Sequence, residues 1–207
     1  MMRIPAAVIL LSACLPLAAQ GATQNAEGIK RFTDPANGVS FRYVAPWTLT
    51  QDEPYMFAPS IQTPSPASRN NLRALVFTRS IRGVASWPKT DFSGVEFGYD
   101  ARPAASSEAC RVLASPGKGE IATVVLRGVT YWHGTAGDGG MSQATTDDIY
   151  TTFLASAGSC LLFDLAVHST TAPGDVQPRA MSTLERNRVR RYLLAILDSV
   201  RIPATSR

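Results

Sequence analysis

The chain has 207 residues, of which 45% are hydrophobic and 17% charged, and its formal net charge is +4 at pH 7. This composition indicates one globular domain, because a disordered chain is less apolar and more highly charged. Beyond the N-terminal segment, no stretch is apolar over the length that a membrane-spanning helix needs. The nearest approach to a basic block is Arg186 to Arg191. We therefore expect neither a transmembrane segment nor a nucleic-acid partner.

The N-terminus has the layout of a secretory signal peptide. Met1-Met2-Arg3 gives a positive start, residues 4–19 are uncharged and apolar, and small or polar residues follow. Small residues at Ala19 and Gly21 suit a signal peptidase, which predicts residues 1–21 as the signal and cleavage after Gly21. Removal of this segment leaves a net charge of +3. The sequence thus predicts a periplasmic or secreted protein.

A second interpretation of the same segment concerns Cys14. Leu11-Ser12-Ala13-Cys14 resembles the box at which bacterial lipoproteins are acylated, which would anchor the protein to a membrane by lipid. Against acylation, the apolar sequence continues past Cys14 as far as Ala19. Loss of Cys14 with the signal and lipidation of Cys14 both stay open.

Two cysteines remain after cleavage, Cys110 and Cys160. An even pair in an exported chain predicts a disulfide, because the compartment is oxidising. The closed loop of about fifty residues would contribute about 4 kcal/mol in the chain-entropy description. The alternative is two buried free thiols, and the absence of a C-x-x-C spacing argues against a reactive site.

The first half of the mature chain begins with a polar segment, 22–31, that we predict to be a loose lead-in to a single domain over 32–203. Residues 39–43 alternate between apolar and polar, as a half-buried strand does, and Pro46 interrupts the pattern before a short strand or bend at 47–49. Residues 58–71 are rich in Pro, Ser and Asn and predict a long loop.

The middle of the chain reads as a series of strands with one short helix. The helix is predicted from Ser106, its capping residue, to Leu113. Gly94 and Gly98 indicate a bulge or a close approach within their strand. A glycine-rich turn is predicted over 134–140, and a hairpin passes through residues 156–158. The strands are predicted at 72–80, 92–99, 121–126, 129–132, 149–154 and 160–168.

The C-terminal segment predicts a long amphipathic helix that begins at Ser182 or Thr183 and ends before Pro203. Its apolar stripe is formed by Val189, Tyr192, Leu193, Ile196, Leu197 and Val200. The arginines between 186 and 191 lie mostly off this stripe, and we interpret them as a solvated face. Many strands and two helices predict an α+β domain, an antiparallel sheet with helices covering one face.

Several segments carry a family resemblance that spans most of residues 32–202. They are Phe41-Arg42-Tyr43 with Pro46-Trp47, the strand start Gly128 to Trp132, the hairpin from Tyr150 to Phe163, and the closing segment Leu194 to Ile202. In these the chain resembles the PsbP-like group, which includes photosystem II extrinsic proteins, a nuclear import factor and many small secreted bacterial proteins. The resemblance implies an α/β/α sandwich. It also implies an accessory or binding role, since the group has no shared catalytic residues.

Chemistry-bearing residues are few. One metal site can be assembled from His133, Asp138 and Asp147, although their spacing fits no known metal motif. Asp147 and Asp148 form a carboxylate pair, but adjacent residues on a strand point to opposite faces. His168 ends an apolar strand and is interpreted as a packed residue.

Two tryptophans, Trp87 and Trp132, could form an aromatic binding face, although such residues more often belong to a core. No G-x-S-x-G elbow and no phosphate-binding loop is present in the sequence. No catalytic residue, metal ligand or cofactor is therefore predicted.

The sequence leaves two functions to compare. The first is an exported, non-enzymatic accessory or binding module of the cell envelope, which recognises an envelope protein or a small ligand through a sheet edge or the 58–71 loop. The alternative is a hydrolase or metal-dependent enzyme that uses His133 with nearby aspartates.

Overall fold

The computed structural model describes residues 28–51, 72–115, 119–139, 143–170 and 178–203. The strands are β1 (Ile29–Thr33), β2 (Ser40–Val44), β3 (Thr48–Thr50), β4 (Ala74–Thr78), β5 (Phe92–Pro103), β6 (Ala122–Leu126), β7 (Val129–Gly139), β8 (Gln143–Leu154) and β9 (Ser159–Thr170). The helices are α1 (Ser107–Val112) and α2 (Thr183–Asp198). The predicted signal segment, with Cys14 and Gly21, and the 58–71 loop lie outside the described residues.

Seven strands form one antiparallel sheet in the order β3-β4-β5-β9-β8-β7-β6. Strands β6 to β9 follow one another as hairpins, and β9 then pairs with β5 along almost its whole length. The strands β1 and β2 form a separate hairpin. The predicted α+β architecture with a largely antiparallel sheet and two helices is confirmed. Gly94 lies at a register shift of β5, as its sequence context predicted.

The two helices lie on opposite faces of the sheet. Cys160 is bonded to Cys110 of α1, whereas its neighbour Leu161 belongs to the main core together with Val189 and Leu193 of α2. Since consecutive strand residues point to opposite faces, α1 and α2 must cover different sides. The prediction that helices cover one face is therefore wrong. Because β9 is buried on both faces, its residues do not alternate between apolar and polar. Its sequence therefore does not indicate which face of the sheet is covered.

The main core lies between the sheet, the β1–β2 hairpin and α2, and aromatic side chains dominate it. The ring of Phe41 meets that of Phe97 edge-on at 5.0 Å, and the ring of Tyr99 stacks on that of Phe163 at 5.4 Å. All four residues are fully buried. Aromatic pairs of this kind add to the free energy gained by burying their area.

The β1–β2 hairpin belongs to the domain and is not a loose lead-in. β1 starts at Ile29, inside the segment predicted to be unstructured, so that prediction is wrong for residues 29–31. The hairpin is attached to the sheet where the ring of Phe32 lies 5.9 Å from that of Tyr99 and where the Tyr99 hydroxyl lies 3.0 Å from an Asp34 carboxylate oxygen. Only one β1 side chain, that of Phe32, is buried, which leaves almost no apolar pattern to detect.

The glycine-rich stretch predicted as a turn is part of β7, which continues to Gly139. A Cβ at Gly134 would lie 3.0 Å from the carbonyl carbon of Ala114, 3.1 Å from Cβ of Ser115, and closer still to the Ala114 oxygen. Glycine at this position lets the segment after α1 lie directly on the sheet. The stretch is a strand and not a turn because of this long-range contact, which the local sequence does not reveal.

The helix α2 starts with a capping box. The Ser182 hydroxyl accepts from the Glu185 N–H at 3.2 Å, and the Glu185 carboxylate accepts from the Ser182 N–H at 2.9 Å. The choice between Ser182 and Thr183 as the cap is thus settled in favour of Ser182. No helix in the described ranges combines the length and the apolar character needed to cross a bilayer.

Candidate functional site

The β1–β2 hairpin is attached to the C-terminal end of α2. The Ser199 hydroxyl accepts from the backbone N–H of Arg42 at 2.8 Å. Beside it, Ser40 and Arg201 exchange two backbone hydrogen bonds, at 3.0 and 2.7 Å. Hairpin and helix are therefore held at a fixed separation, and their side chains form the two walls of a surface groove.

This groove has a volume of about 330 Å³ and a mainly apolar lining. Its buried floor consists of Tyr43, Trp47 and Ile196, which also belong to the core. Burial raises the pKa of Tyr43, so the floor carries no charge at neutral pH. At the rim, Ile29 keeps 67% of its surface exposed. The remaining lining residues are Arg42, Val44, Tyr192, Ala195 and Ser199.

Next to the groove lies an arginine cluster, which we define as Arg82, Arg188 and Arg191. The two features share Tyr192 and Ala195, which line both. They are continuous because the α2 residues concerned recur at steps of three or four, which places them along one stripe of the helix. That stripe runs beside the buried one, so it stays at the surface.

Arg188 is held in place by the turn that contains Arg82. Its Nη1 donates to the Arg82 carbonyl at 3.3 Å, and its guanidinium fills the space where a side chain at Gly83 would begin. Within the described part of the chain, none of the three cluster residues forms a salt bridge with a carboxylate. Three uncompensated guanidinium groups at one end of an apolar groove can bind carboxylates in bidentate fashion.

The structure separates the residues from which the sequence allowed a metal site to be assembled. His133 Nε2 lies 2.8 Å from Asp148 Oδ1, and the His133 ring stacks on Tyr150 at 4.4 Å. The sheet register pairs His133 with Tyr150 but Asp147 with Ala136, so His133 and Asp147 point to opposite faces and cannot bind one metal ion. The structure therefore excludes that combination.

The other predicted partners do not restore a metal site. Arg190 Nη2 lies 3.7 Å from the same Asp148 oxygen that contacts His133, which makes this pair part of a small polar group on the α2 side of the sheet. Of Asp138 the structure describes only the backbone. In the ranges that the structure describes, no three His, Cys, Asp or Glu side chains come close enough together to hold a metal.

His168 is a packed residue, as the sequence indicated. Its side chain is buried, with Nε2 at 3.1 Å from Glu96 Oε2 and Nδ1 at 3.0 Å from the Thr145 hydroxyl. The pair lies on the face opposite the groove, because Glu96 opposes Ala166 while the neighbouring β9 residue Leu165 faces the main core.

The two tryptophans do not share a binding face. Trp87 is 38% exposed, and its backbone N–H donates to the Phe92 carbonyl at 3.0 Å, which places Trp87 beside the first residue of β5. Across the strand pairings of the sheet, Phe92 lies at the same level as Gly139 of β7. Trp132 is seven residues from Gly139 along β7, which is about 23 Å at the rise per residue of a strand. The structure therefore excludes a shared aromatic face of Trp87 and Trp132.

The predicted disulfide between Cys110 and Cys160 is present. It links α1 to β9, with the two Cα atoms 5.2 Å apart. The Cys110 carbonyl also accepts from the Thr151 hydroxyl at 3.0 Å. The short helix is thereby fixed to the sheet by one covalent bond and one hydrogen bond.

Sequence reasoning missed the groove because its walls come from both ends of the chain. Arg82 and Arg188 are 106 positions apart, and Ile29 was placed in the unstructured lead-in. One signal was available: Arg188 and Arg191 follow the same helical step as Tyr192 and Ala195. Without the fold, this pattern indicates only an ordinary solvated face.

Comparison with known proteins adds information about the fold alone. No family model and no curated protein matches the sequence. A crystal structure from Bacteroides thetaiotaomicron VPI-5482 is similar over 86% of this chain, with 9% identity and a TM-score of 0.44. This chain spans 50% of that protein's length. The solution structure of cyanobacterial PsbP from Synechocystis sp. PCC 6803 is similar over 93% of this chain and 99% of its own, with 13% identity and a TM-score of 0.41. The second structure belongs to the group that the sequence resembles.

Proposed function

We propose that this chain is an exported, non-enzymatic binding module of the bacterial cell envelope. In this proposal the groove between β1–β2 and α2 binds an acidic, partly apolar segment of a partner protein. The observation that carries the proposal is the continuity of the apolar groove with the arginine cluster through Tyr192 and Ala195. A segment with carboxylates beside apolar side chains complements both parts at once.

Export is part of the proposal and rests on the N-terminal sequence. Residues 1–21 serve as the signal peptide, and the protein then works in the periplasm or outside the cell, with lipidation at Cys14 as the alternative fate of the N-terminus. The disulfide between Cys110 and Cys160 supports this location, because such bonds persist in oxidising compartments. We also propose that the domain is a PsbP-like α/β/α sandwich.

A protein segment fits the groove better than a small ligand does. Binding pockets for small molecules enclose most of the ligand surface. Here one wall ends in the largely exposed Ile29, and Ala195 at the other wall is exposed as well. An open groove with aromatic floor residues and arginines at its end has the composition found at protein interfaces.

The test measures binding of labelled peptides by fluorescence anisotropy. A peptide of alternating Glu and Leu should bind, and a peptide with Lys in place of Glu should not. The double variant Arg188→Glu/Arg191→Glu should weaken binding of the Glu/Leu peptide at least tenfold. Ala195→Trp, which fills the groove without changing charge, should weaken it as well.

The matched control is Arg111→Glu, an arginine of α1 on the opposite face of the sheet, and it should bind like the wild type. Equal binding of both peptides, or equal losses from the control and the cluster variants, would refute the proposal. Each variant needs an unchanged melting temperature, so that a binding loss is not mistaken for unfolding.

One observation supports the enzyme alternative, the half-buried contact of 2.8 Å between His133 Nε2 and Asp148 Oδ1. A hydrogen-bonded His–Asp pair is suited to acid–base chemistry. We propose it as the second candidate only. Any hydrolytic activity of the purified protein that His133→Ala abolishes would favour it over the binding module.

A further inference from the structure

Strand β6 forms one edge of the seven-stranded sheet and pairs with β7 on one side only. The turn between them consists of Arg127 and Gly128, with φ values of 49° and 80°. This two-residue turn makes Leu126 and Val129 a hydrogen-bonded pair. In an antiparallel ladder such pairs alternate, so the N–H and C=O groups of Thr123 and Val125 point away from β7.

The outer side of β6 is open in the part of the chain that the structure describes. No backbone hydrogen bond reaches it from another described element. Val125 is 63% exposed, and Ala122 and Thr123 are exposed too. Proteins normally protect such edges with a charged residue, a proline or a bulge. Residues 122–126 contain none of these, and their register with β7 is unbroken.

The opposite edge of the sheet differs. There, β3 has three residues, Thr48–Thr50, and a short edge strand is itself a protection against pairing. The long edges of β5, β8 and β9 are all paired inside the sheet. Of the two strands at the ends of the sheet order, β3 and β6, β6 is thus the longer and, within the described ranges, lacks these protections.

We propose that β6 pairs antiparallel with β6 of a second copy of this chain, so that two sheets join into one. The twofold axis passes beside Val124, which brings Thr123 of one copy opposite Val125 of the partner subunit. The β-branched side chains on this strand favour such cross-strand pairs. The proposal is independent of the groove and of what the groove binds.

The charges that flank β6 favour a second copy in this orientation. Glu120 precedes the strand and Arg127 follows it, and both are exposed. Arg127 also forms an ion pair with Asp198 of its own chain, so a contact with Glu120 would share its guanidinium. Antiparallel pairing brings Glu120 of each copy near Arg127 of the partner subunit, whereas parallel pairing would place like charges side by side. Unlike charges at the rim guide orientation and register. Because the strand has five residues, the interface is small and the dimer should be weak and dependent on concentration.

Sedimentation velocity over a wide range of protein concentration tests this proposal. The wild type should pass from monomer to dimer as concentration rises. Thr123→Pro removes an outward N–H without removing a bond to β7, and Val125→Lys places a charge on the edge. Each should raise the dissociation constant at least tenfold. Thr130→Lys is the matched control, because it adds the same charge to an exposed position of the neighbouring strand.

A wild type that stays monomeric throughout would overturn the proposal. A dimer that both edge variants leave intact would overturn it as well, since the interface would then lie elsewhere. If Thr123→Pro lowers the melting temperature strongly, Val125→Lys against Thr130→Lys decides the outcome. A dimer that is lost in Val125→Lys and kept in Thr130→Lys supports the proposal.

Discussion

Arg188 lies directly over Gly83, and its guanidinium occupies the space in which a side chain at position 83 would begin. Gly83 has a φ of +77°, so the turn itself also requires glycine. A single glycine thus both closes the turn and positions one of the three cationic groups beside the groove.

Gly83→Ala should therefore displace Arg188 and weaken binding of the Glu/Leu peptide several-fold. The positive φ should cost about 1 kcal/mol of stability in addition. Gly128→Ala is the control, because Gly128 has a φ of +80° with no atom near its missing Cβ. It should lose similar stability and keep the peptide affinity. Equal affinities of the two variants in anisotropy titrations would contradict the positioning role of Gly83.

Binding to the arginine cluster should depend on salt. Exposed charges are screened over about 10 Å at 0.1 M salt and about 3 Å at 1 M. The affinity of the wild type for the Glu/Leu peptide should fall several-fold over that range, whereas Arg188→Glu/Arg191→Glu should show little dependence. A salt-independent wild-type affinity would assign the binding to the apolar groove alone.

Removal of the disulfide should destabilise the domain without changing its surface groove. The bridge closes a loop between residues 50 positions apart, for which the chain-entropy description gives about 4 kcal/mol. The variant Cys110→Ala/Cys160→Ala should therefore unfold at lower urea concentration, and reduction of the wild type should have the same effect. An unchanged unfolding midpoint would show that the pair adds nothing to stability.

Gly134→Ala tests the close approach that turns a glycine-rich stretch into strand β7. The added methyl group would meet the backbone of Ala114, and overpacking of this kind costs about 1–3 kcal/mol. Gly139→Ala in the same strand would meet only Cβ of Ala144, at 3.8 Å, and should be nearly neutral. Thermal denaturation of the two variants compares them directly. Equal melting temperatures would argue against the observed contact between β7 and the segment after α1.

Glu185 should make the stability of the domain sensitive to acid. The Arg179 guanidinium, which donates to this carboxylate at 2.7 and 2.8 Å, holds the pKa of Glu185 well below its usual range, and the Ser182 groups lower it further. The folded pKa is thus lower than the unfolded one, about 4.3. The stabilisation is complete above the unfolded pKa and is lost as the pH falls below it.

Glu185→Gln should therefore be less stable than the wild type at pH 6, and the difference should shrink towards pH 3. Melting temperatures measured across this range test the expectation. A constant difference between Glu185→Gln and the wild type at all pH values would show that the contribution of Glu185 is not one of charge.

Local patterns predicted those elements whose environment is simple. The sequence predicts α2 because one stripe of the helix is apolar and the rest polar. It predicts the disulfide because two cysteines remain once the predicted signal segment is removed. The sequence predicts the β8–β9 hairpin from the small residues that end at Gly158, and in the structure Gly158 has a φ of +54°. In each case the decisive interactions are close in sequence or few in number.

Long-range contacts explain what the sequence could not predict. Gly134 looks like a turn residue until Ala114 is placed over it. Ile29 looks unstructured until β2 and α2 supply a wall beside it. The sequence also could not predict on which side of the sheet each helix lies. Cys160 and Leu161 are equally buried, and nothing in the local sequence shows that they contact different helices.

The most direct test of the binding proposal is site-specific photo-crosslinking in the intact envelope, with a photoreactive amino acid at Ala195. This residue lines both the groove and the arginine cluster, and a probe at Val112, on the other face of the sheet, is the control. We predict adducts at position 195 alone, and mass spectrometry should locate them on a segment rich in Asp or Glu beside apolar residues. Adducts of equal yield at both positions, or at basic segments of partner proteins, would contradict the proposed function.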